Sequence, residues 1–489
     1  MNSLHTPLYT VDQIRLLEQR AIQQLAIPSL ALMHRAGEAV FTTMTQRWPS
    51  LRRILILAGS GNNAGDGYVV ANLALQAGYK TQVLCLSDPN QLSGDALICY
   101  KDYLRSGGET IVGDHETDLA ADIIVDALFG IGLNRPLTQP YERLISQVNQ
   151  TTAIRVALDV PSGIEANTGV VLGKQAFRAD LTVSFIAGKP GLYTAEAVNY
   201  TGEIILADLG VCPEFLNQTP ADFFQLNKPV LSPRSKNAHK GHFGHVLLVG
   251  GNHGYSGAIR LAAEAALRSG AGLVSVATRA SHSHLLALAR PEIMSHAVED
   301  ADQLLPLLEK ATVVVVGPGL GQDLWAQRLL SLIVSSHKPT VWDADALNWL
   351  AKHPCSMTNA IFTPHPGEAA RLLNCSTSEI ASNRYSAVRA LQSSLGGICL
   401  LKGAGSLITN GKQTWVSSTG NPGMASGGMG DVLAGLCGGL LAQGLSLLHA
   451  CQLAVYVHGE AADLSAKMDG ERGMLASDLI NRLRSCLND

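Results

Sequence analysis

The sequence predicts an α/β protein of two domains, each a parallel sheet covered by helices. From Arg52 onward, short runs rich in leucine and β-branched residues alternate with helical stretches, as βαβ units on a parallel sheet require. Many of these runs end in glycine loops or acids, the place where open α/β sheets hold ligands. A chain of 489 residues, 46% of them hydrophobic, is also too long for one ordinary core and has the apolar content for two.

Composition narrows the function. The net charge of −4 and the lack of a basic block argue against nucleic acid as a partner. Nine cysteines without a Cys-x-x-Cys pair argue against a zinc site or disulfide framework and point to a reducing, cytoplasmic location. Val11 to Leu25 reads as an amphipathic helix rather than a signal peptide. Val432 to Leu448 carries no charge, yet its four glycines and one glutamine suit a buried helix better than a membrane span.

In chain order, Arg53 to Ala58 is the first predicted strand. It runs into a glycine loop, Gly59 to Gly67, and then a helix from Tyr68 to Gln76. This geometry turns backbone N–H groups toward a phosphate, although the spacing matches neither the dinucleotide fingerprint nor a P-loop, and a tight turn explains it equally well. The next strands end in Asp126, before the loop Gly130 to Pro136, and in Asp159, before Pro161 to Glu165. Carboxyl ends of parallel strands share one crevice, so Asp126, Asp159 and the glycine loop should converge. Asp126, Ser162 and Asn63 offer hard oxygens suited to potassium, sodium or magnesium. Lys189, in the turn after Asp180 to Ile186, either faces the same crevice or lies on the surface.

Taken together, Gly61 to Gly67, Asp159-Val-Pro-Ser-Gly163 and Lys189-Pro-Gly191 resemble the NAD(P)H-hydrate epimerase family, over roughly residues 1–212. Ala64 stands where that family usually has glycine. The resemblance implies a Rossmann-like three-layer sandwich, with Asp159 as the acid–base group and Lys189 as its helper. It also implies substrate contacts from Asn62, Asn63, Ala64, Gly65 and Asp66, from Gly130, Ile131, Gly132, Leu133, Asn134, Arg135 and Pro136, and from Asp159. The implied metal is K+, held by Asn63, Asp126 and Ser162.

Residues 213–228 lose all periodicity among Pro213, Asn217 and Pro220 and read as a linker, which places the second domain at 229–489. His239, His242 and His245 are spaced three apart without an acidic or cysteine partner nearby, which does not favour a metal. Strand, glycine loop and helix recur at Lys240 to Arg268. Thr312 to Val316 is a buried strand that delivers three glycines to the loop ending at Gly321, where backbone can approach a ligand closely. Further strands end at Asp343-Ala-Asp345, at Thr363-Pro-His-Pro-Gly-Glu368 and at Lys402. Glu368 either positions metal and phosphates or favours the first turn of a helix. Lys402, before Gly403-Ala-Gly-Ser406, reads as a nucleotide contact.

The most informative stretch is Gly420 to Gly435. Gly427, Gly428 and Gly430 precede a long apolar run, so successive N–H groups can converge on an anion at the positive end of a helix. Asp431 in its first turn would repel a bound phosphate at rest, which suggests a base that takes a proton from a hydroxyl during phosphoryl transfer. An ordinary cap is the plain alternative.

This stretch resembles the Gly-x-Gly-Asp anion hole of the ribokinase-like superfamily, and Asn421 to Gly435 is similar to its NAD(P)H-hydrate dehydratase branch. Met429 stands where threonine is common. Gly257-Ala258, Gly317 to Gly321, Thr363 to Glu368 and Lys402 to Ser406 extend the likeness over about 230–485. It implies a ribokinase-like three-layer sandwich in which Ala258, Gly319, His365 and Asp431 bind the hydrate. The implied nucleotide-binding residues are Lys402, Gly403, Ala404, Gly405, Ser406 and Gly430.

The two resemblances together imply a bifunctional repair enzyme for NADH or NADPH that has gained water on the nicotinamide ring. One domain would interconvert the R and S hydrates, and the other would dehydrate the S form with ADP, giving AMP and phosphate. The expected cofactors are ADP as co-substrate, K+, and Mg2+ at the dehydratase site. The expected partners are these small molecules, without nucleic acid or membrane, in a homo-oligomer. Two rivals remain: a ribokinase-like small-molecule kinase fused to a nucleotide-binding Rossmann-like domain, and a non-catalytic binding protein akin to the apolipoprotein-binding relative of the N-terminal domain.

Overall fold

The computed structural model describes residues 5–113 and 118–488. The chain divides into two compact units, Pro7–Phe223 and Phe224–Asp489, the second taking in the N-terminal residues through Thr6.

The first unit holds a seven-stranded sheet in the order Thr110–Val112, Lys80–Cys85, Arg53–Ala58, Ile123–Ala127, Ile154–Leu158, Leu181–Phe185 and Glu203–Ala207. All of its strand pairs are parallel. The chain starts at Arg53–Ala58, moves outward to one side, then returns to Ile123–Ala127 on the other. That reversal opens the ligand crevice of a doubly wound sheet. The loops beyond these two strands begin at Gly59 and Leu128. They meet closely, since a Cβ on Gly59 would lie 1.9 Å from the Leu128 carbonyl oxygen.

The glycine loop read from the sequence is shorter than expected, because the helix that follows spans Asn62–Gln76 and starts six residues before Tyr68. Its glycines serve packing: a Cβ on Gly65 would lie 2.5 Å from the Met33 sulfur, and one on Gly67 would lie 2.5 Å from the Ala127 Cβ. The stretch read as a linker also has structure. Pro213–Leu216 is a helix whose Phe215 and Leu216 join the first core, and Phe223–Leu226 is a strand whose Leu226 joins the second. Elements of four residues are too short to show a period.

The second unit repeats the logic on a larger sheet. From Met294–Ala297 the order runs through Leu273–Thr278, His245–Val249, Val313–Val316, Thr340–Trp342 and Ala360–Phe362 to Ile398–Leu401, all parallel. Leu407–Thr409 and Thr414–Val416 then add antiparallel, with Phe223–Leu226 and His5–Leu8 at the far edge. The reversal lies between His245–Val249 and Val313–Val316, so the loops starting at Gly250 and Gly317 face each other. The Asn252 N–H donates to the Gly319 carbonyl at 2.6 Å.

The apolar run after Asp431 forms the helix Met429–Ala442, buried except at Gly430 and Asp431. It ends before Gly444, whose φ of +90° breaks the chain away, and a second helix runs over Leu447–Asp469. Among the described residues no helix is long and apolar enough to cross a membrane. Three glycines let the helix Met429–Ala442 sit with its backbone against its neighbours. A Cβ on Gly435 would lie 1.9 Å from the Ala262 carbonyl oxygen, one on Gly438 2.2 Å from Val315 Cγ2, and one on Gly439 1.9 Å from Ser269 Oγ. Intrinsic propensity favours alanine over glycine in a helix by about 1 kcal/mol, so tertiary packing is the reason for these glycines. Gly435→Ala is therefore expected to destabilise the second unit by about 1–3 kcal/mol in urea unfolding. A gain in stability would contradict this packing.

Candidate active sites

In the first unit the acids at the strand ends converge as the sequence predicts, but with different partners. Asp126 is fully buried at the end of Ile123–Ala127. Its Oδ1 accepts from Ser162 Oγ at 2.7 Å and from the Leu128 N–H at 3.1 Å, and its Oδ2 accepts from the Ser162 N–H at 2.8 Å. Burial pushes its pKa up to about 6, although these hydrogen bonds oppose the shift. Among the described residues no cationic side chain pairs with it. Asn63, buried in the first turn of its helix, approaches Gly130, where a Cβ would lie 3.3 Å from Asn63 Oδ1. The Asn63 Nδ2 has no hydrogen-bond partner.

Asp159 follows Ile154–Leu158 with φ at +64°, the left-handed region that a non-glycine residue occupies only where surrounding structure holds it. Its Oδ1 accepts from Lys189 Nζ, from the Phe185 N–H at 3.1 Å and from Ser184 Oγ at 3.5 Å. Lys189 also donates to Ser184 Oγ at 3.0 Å and to the Phe185 carbonyl at 2.8 Å. Its side chain is 0% exposed against 10% for that of Asp159. Lys189 therefore does not face the crevice: it lies beneath Asp159 and can act only through that carboxylate. Asp66 is half-buried close by. Burial, then the charges of Asp159 and Glu18, pushes its pKa well above the usual carboxylate range. Glu18, on the helix Val11–Gln24, is raised by burial and then by Asp159. No sequence signal marks Glu18, because nothing places that helix against the sheet before folding.

Asn62 and Ala64 lie with Asn63 and Gly65 in the first turn of a helix that has no side-chain cap; the Ala64 N–H donates to the Gly61 carbonyl at 3.1 Å. Gly130, Ile131, Gly132 and Leu133 form a turn in which the Leu133 N–H donates to the Gly130 carbonyl at 3.3 Å. Asn134, Arg135 and Pro136 beyond it are exposed.

In the second unit, Gly428 takes φ +90° and the helix Met429–Ala442 starts without a side-chain cap. Asp431, in its first turn, is half-buried and faces other acids. Burial, then Asp343, pushes its pKa up to about 7, with Asp345 and Glu368 adding to the shift and Lys402 opposing it. Lys402 follows the strand Ile398–Leu401 and donates to Asp343 Oδ1 at 2.8 Å, with Glu368 Oε2 at 3.9 Å. A Cβ on Gly430 would lie 3.2 Å from Lys402 Nζ and 3.6 Å from Asp343 Oδ2, so the lysine and this acid sit against the helix start. Burial opposes the charge of Lys402, but Asp343 and Glu368 outweigh it and hold the ammonium above the ordinary lysine value.

His365 and Glu368 form a capping box on the helix Pro366–Leu373. The Gly367 N–H donates to His365 Nδ1 at 3.0 Å, and the His365 N–H donates to Glu368 Oε2 at 2.8 Å. Glu368 thus takes up the helix-favouring alternative as part of the capping box, and its Oε2 also lies near Lys402. Gly319, with φ +57°, packs against Tyr255 and Ala258 at the start of the helix Ser256–Arg268. The loop Gly403, Ala404, Gly405 and Ser406 rests on buried Arg384, whose guanidinium donates to the Gly405 carbonyl at 3.3 Å. Burial lowers the pKa of Arg384 to about 10. Sequence reading missed both Arg384 and Asp343. Arg384 is unremarkable within its helix, whereas Asp343, an acid following the buried strand Thr340–Trp342, carries the same signal that marked Asp126 and Asp159.

Of the three histidines near residue 240, His239 and His242 lie with ring centroids 3.7 Å apart, and His245 is engaged elsewhere. His239 caps a short turn by accepting from the Gly241 N–H at 3.2 Å, while His245 bonds Ser275 Oγ at 2.8 Å. Among the described residues no group of three or more His, Cys, Asp or Glu is placed to hold a metal ion.

Comparison with known proteins matches both units. Residues 246–485 match the NAD(P)H-hydrate dehydratase family, and residues 29–191 match the family described as YjeF-related protein N-terminus. The chain is 46% identical to the bifunctional NAD(P)H-hydrate repair enzyme Nnr of Coxiella burnetii, over 99% of this chain and 100% of that protein. It is 43% identical to the enzyme of the same name from Escherichia coli K12, over 99% of this chain and 94% of that protein. Among solved structures, a ribokinase-like superfamily protein from Enterococcus faecalis V583 is 32% identical, covering 53% of this chain and 92% of its own, with a TM-score of 0.50. With both units matched and the similarity running essentially end to end, the chain belongs to the family of bifunctional NAD(P)H-hydrate repair enzymes.

Proposed function

We propose that the first unit interconverts the R and S hydrates of NADH and NADPH, and that the second dehydrates the S hydrate using ADP. The observation that carries this reading is Asp431, a carboxylate with its pKa near 7 at the start of an uncapped helix, opposite Lys402. A saturated carbon loses hydroxide slowly. If Asp431 takes the hydroxyl proton while the terminal phosphoryl group of ADP is transferred to that oxygen, AMP leaves and a phosphate ester forms. The ring nitrogen then expels phosphate as the adjacent carbon gives up its proton. The open N–H groups near Gly430 and the Lys402 ammonium stabilise charge on the transferred group. Magnesium arriving with the nucleotide would keep phosphate and water as most of its ligands.

In the first unit, Asp159 is the proton-transfer group for loss and return of water at one ring carbon, and Lys189 holds it from beneath. Potassium fits the pocket of Asn63, Asp126 and Ser162. Asp126 is a fully buried carboxylate without a cationic side-chain partner among the described residues, and its Oδ2 keeps a lone pair beyond the one taken by Ser162. Such a cation would fix the loop from Gly130 and the helix start at Asn62 around a substrate phosphate. The two units are proposed to work separately, each with a complete site of its own.

Four outcomes test this reading. Asp431→Asn keeps the shape of the helix start but removes the base, so dehydration falls about 10²–10⁴-fold while ADP binding persists and epimerisation is untouched. In the unaltered enzyme dehydration rises with pH through about 7, because the carboxylate must lose its proton to act; near-normal dehydration by the variant would reduce Asp431 to a helix cap. Exchange of potassium for a large organic cation is expected to slow epimerisation, and an unchanged rate would remove potassium from the site. Lys189→Met leaves Asp159 without its buried counter-charge and is expected to destabilise the first unit by about 3–5 kcal/mol in urea unfolding. A loss below about 1 kcal/mol would contradict the buried pair.

A further inference from the structure

Asp343 is 1% exposed at the end of Thr340–Trp342, yet it reaches the surface of the phosphoryl-transfer site. Three separate elements meet on its carboxylate. Thr363 Oγ1, at the end of the neighbouring strand Ala360–Phe362, donates to Oδ1 at 2.7 Å and also to the Trp342 carbonyl at 3.1 Å. Lys402 Nζ, from the next strand, donates to the same Oδ1 at 2.8 Å. Oδ2 points toward Gly430, where a Cβ would lie 3.6 Å away. The Asp343 main chain is fixed as well, because a Cβ on Gly317 would lie 1.8 Å from its carbonyl oxygen. Two donors on one oxygen satisfy this acid in a setting where an unpaired buried carboxylate would be costly.

We propose that Asp343 is a positioning residue of the dehydratase, clamping the Lys402 ammonium against Gly430 and setting the negative field that Asp431 faces. The inference rests on the dehydratase reading and deepens it. A lysine held by three strand ends meets the incoming phosphate already aimed, so little side-chain freedom remains to be lost on binding. The same carboxylate separates the duties of the two acids. Donors surround the Asp343 carboxylate, whereas Asp431 lies at the helix start with no comparable donors, and burial and then the charge of Asp343 push the Asp431 pKa up. The other groups facing Asp431 are Lys402, Asp345 and Glu368. Of these, Asp345 is tied to the Gly321 N–H at 2.8 Å and Glu368 to the His365 N–H. His458, on the helix Leu447–Asp469, feels the charge of Lys402, and burial lowers its pKa to about 4, so it stays neutral near pH 7.

Asp343→Asn tests the clamp, because it keeps the shape and an acceptor for Thr363 and Lys402 while removing the charge. Dehydration by the unaltered chain and its variants is measured against pH and against ADP. For Asp343→Asn, kcat/KM for ADP is expected to fall about 10–100-fold, and the acid limb of kcat to move about one unit to lower pH, since Asp431 then ionises more readily. Asp343→Glu, which restores the charge, is expected to return the limb to its original pH. A merely structural role predicts a lower amount of active enzyme with the limb and the KM for ADP unmoved, and that result would overturn the proposal. If Asp343→Asn does not fold, Thr363→Val removes one donor and leaves the charge. Its KM for ADP is expected to rise several-fold, and an unchanged KM would overturn the clamp. Absence of dehydration by the unaltered chain would overturn the underlying reading and the clamp together, whereas an active chain with an unmoved limb in Asp343→Asn would sink the clamp alone.

Discussion

An ionised carboxylate can be buried at the end of an apolar strand only if donors or a cation meet it there. Both units are arranged around that constraint. Asp126 is met by Ser162 and the Leu128 N–H, Asp159 by Lys189 and the Phe185 N–H, and Asp343 by Thr363 and Lys402. Apart from the Leu128 N–H, each partner comes from a strand end or loop other than the acid's own, so satisfying the acid ties elements together at one edge of the sheet. The reversal of strand order then decides where those edges open. In each unit it lies beside the strand that feeds a glycine turn, after Ala58 in one and after Val249 in the other.

The two sites use this frame for different chemistry. In the first unit the buried cation lies beneath its acid, which leaves one carboxylate edge for proton transfer at a substrate carbon. In the second, lysine and acid lie side by side at a helix start, the arrangement suited to a phosphoryl group whose charge spreads over several oxygens. Asp431 differs from Asp126, Asp159 and Asp343 in sitting at a helix start rather than a strand end. Its raised pKa follows from burial and from the company of Asp343.

Much of this was legible in the sequence because it depends on local pattern. Strands Arg53–Ala58 and Val313–Val316, the glycines before Asp431, and the acids at 126 and 159 all stand out as runs or punctuation. What stayed hidden depends on contacts between distant segments. The helix beginning at Asn62 looked like a loop because Gly65 and Gly67 signal turns, whereas here they admit Met33 and Ala127. The short helix and strand between 213 and 226 are too brief for any period. Lys189 reads as a crevice or surface residue because lysines are seldom wholly buried, and only the fold shows it paired with Asp159. Arg384 supports the loop after Lys402 from a helix whose sequence carries no mark of that task.

The central claim is that two separate sites in one chain return hydrated NADH to NADH. It is tested most directly by supplying a mixture of R and S hydrates with ADP and following the recovery of dihydronicotinamide absorbance. The account predicts recovery of both epimers by the unaltered chain, with AMP and phosphate formed in step, and recovery that stops at the S fraction when Asp159 is replaced by Asn. Absorbance that fails to return with any nucleotide, or a phosphorylated hydrate that accumulates as the final product, would contradict it.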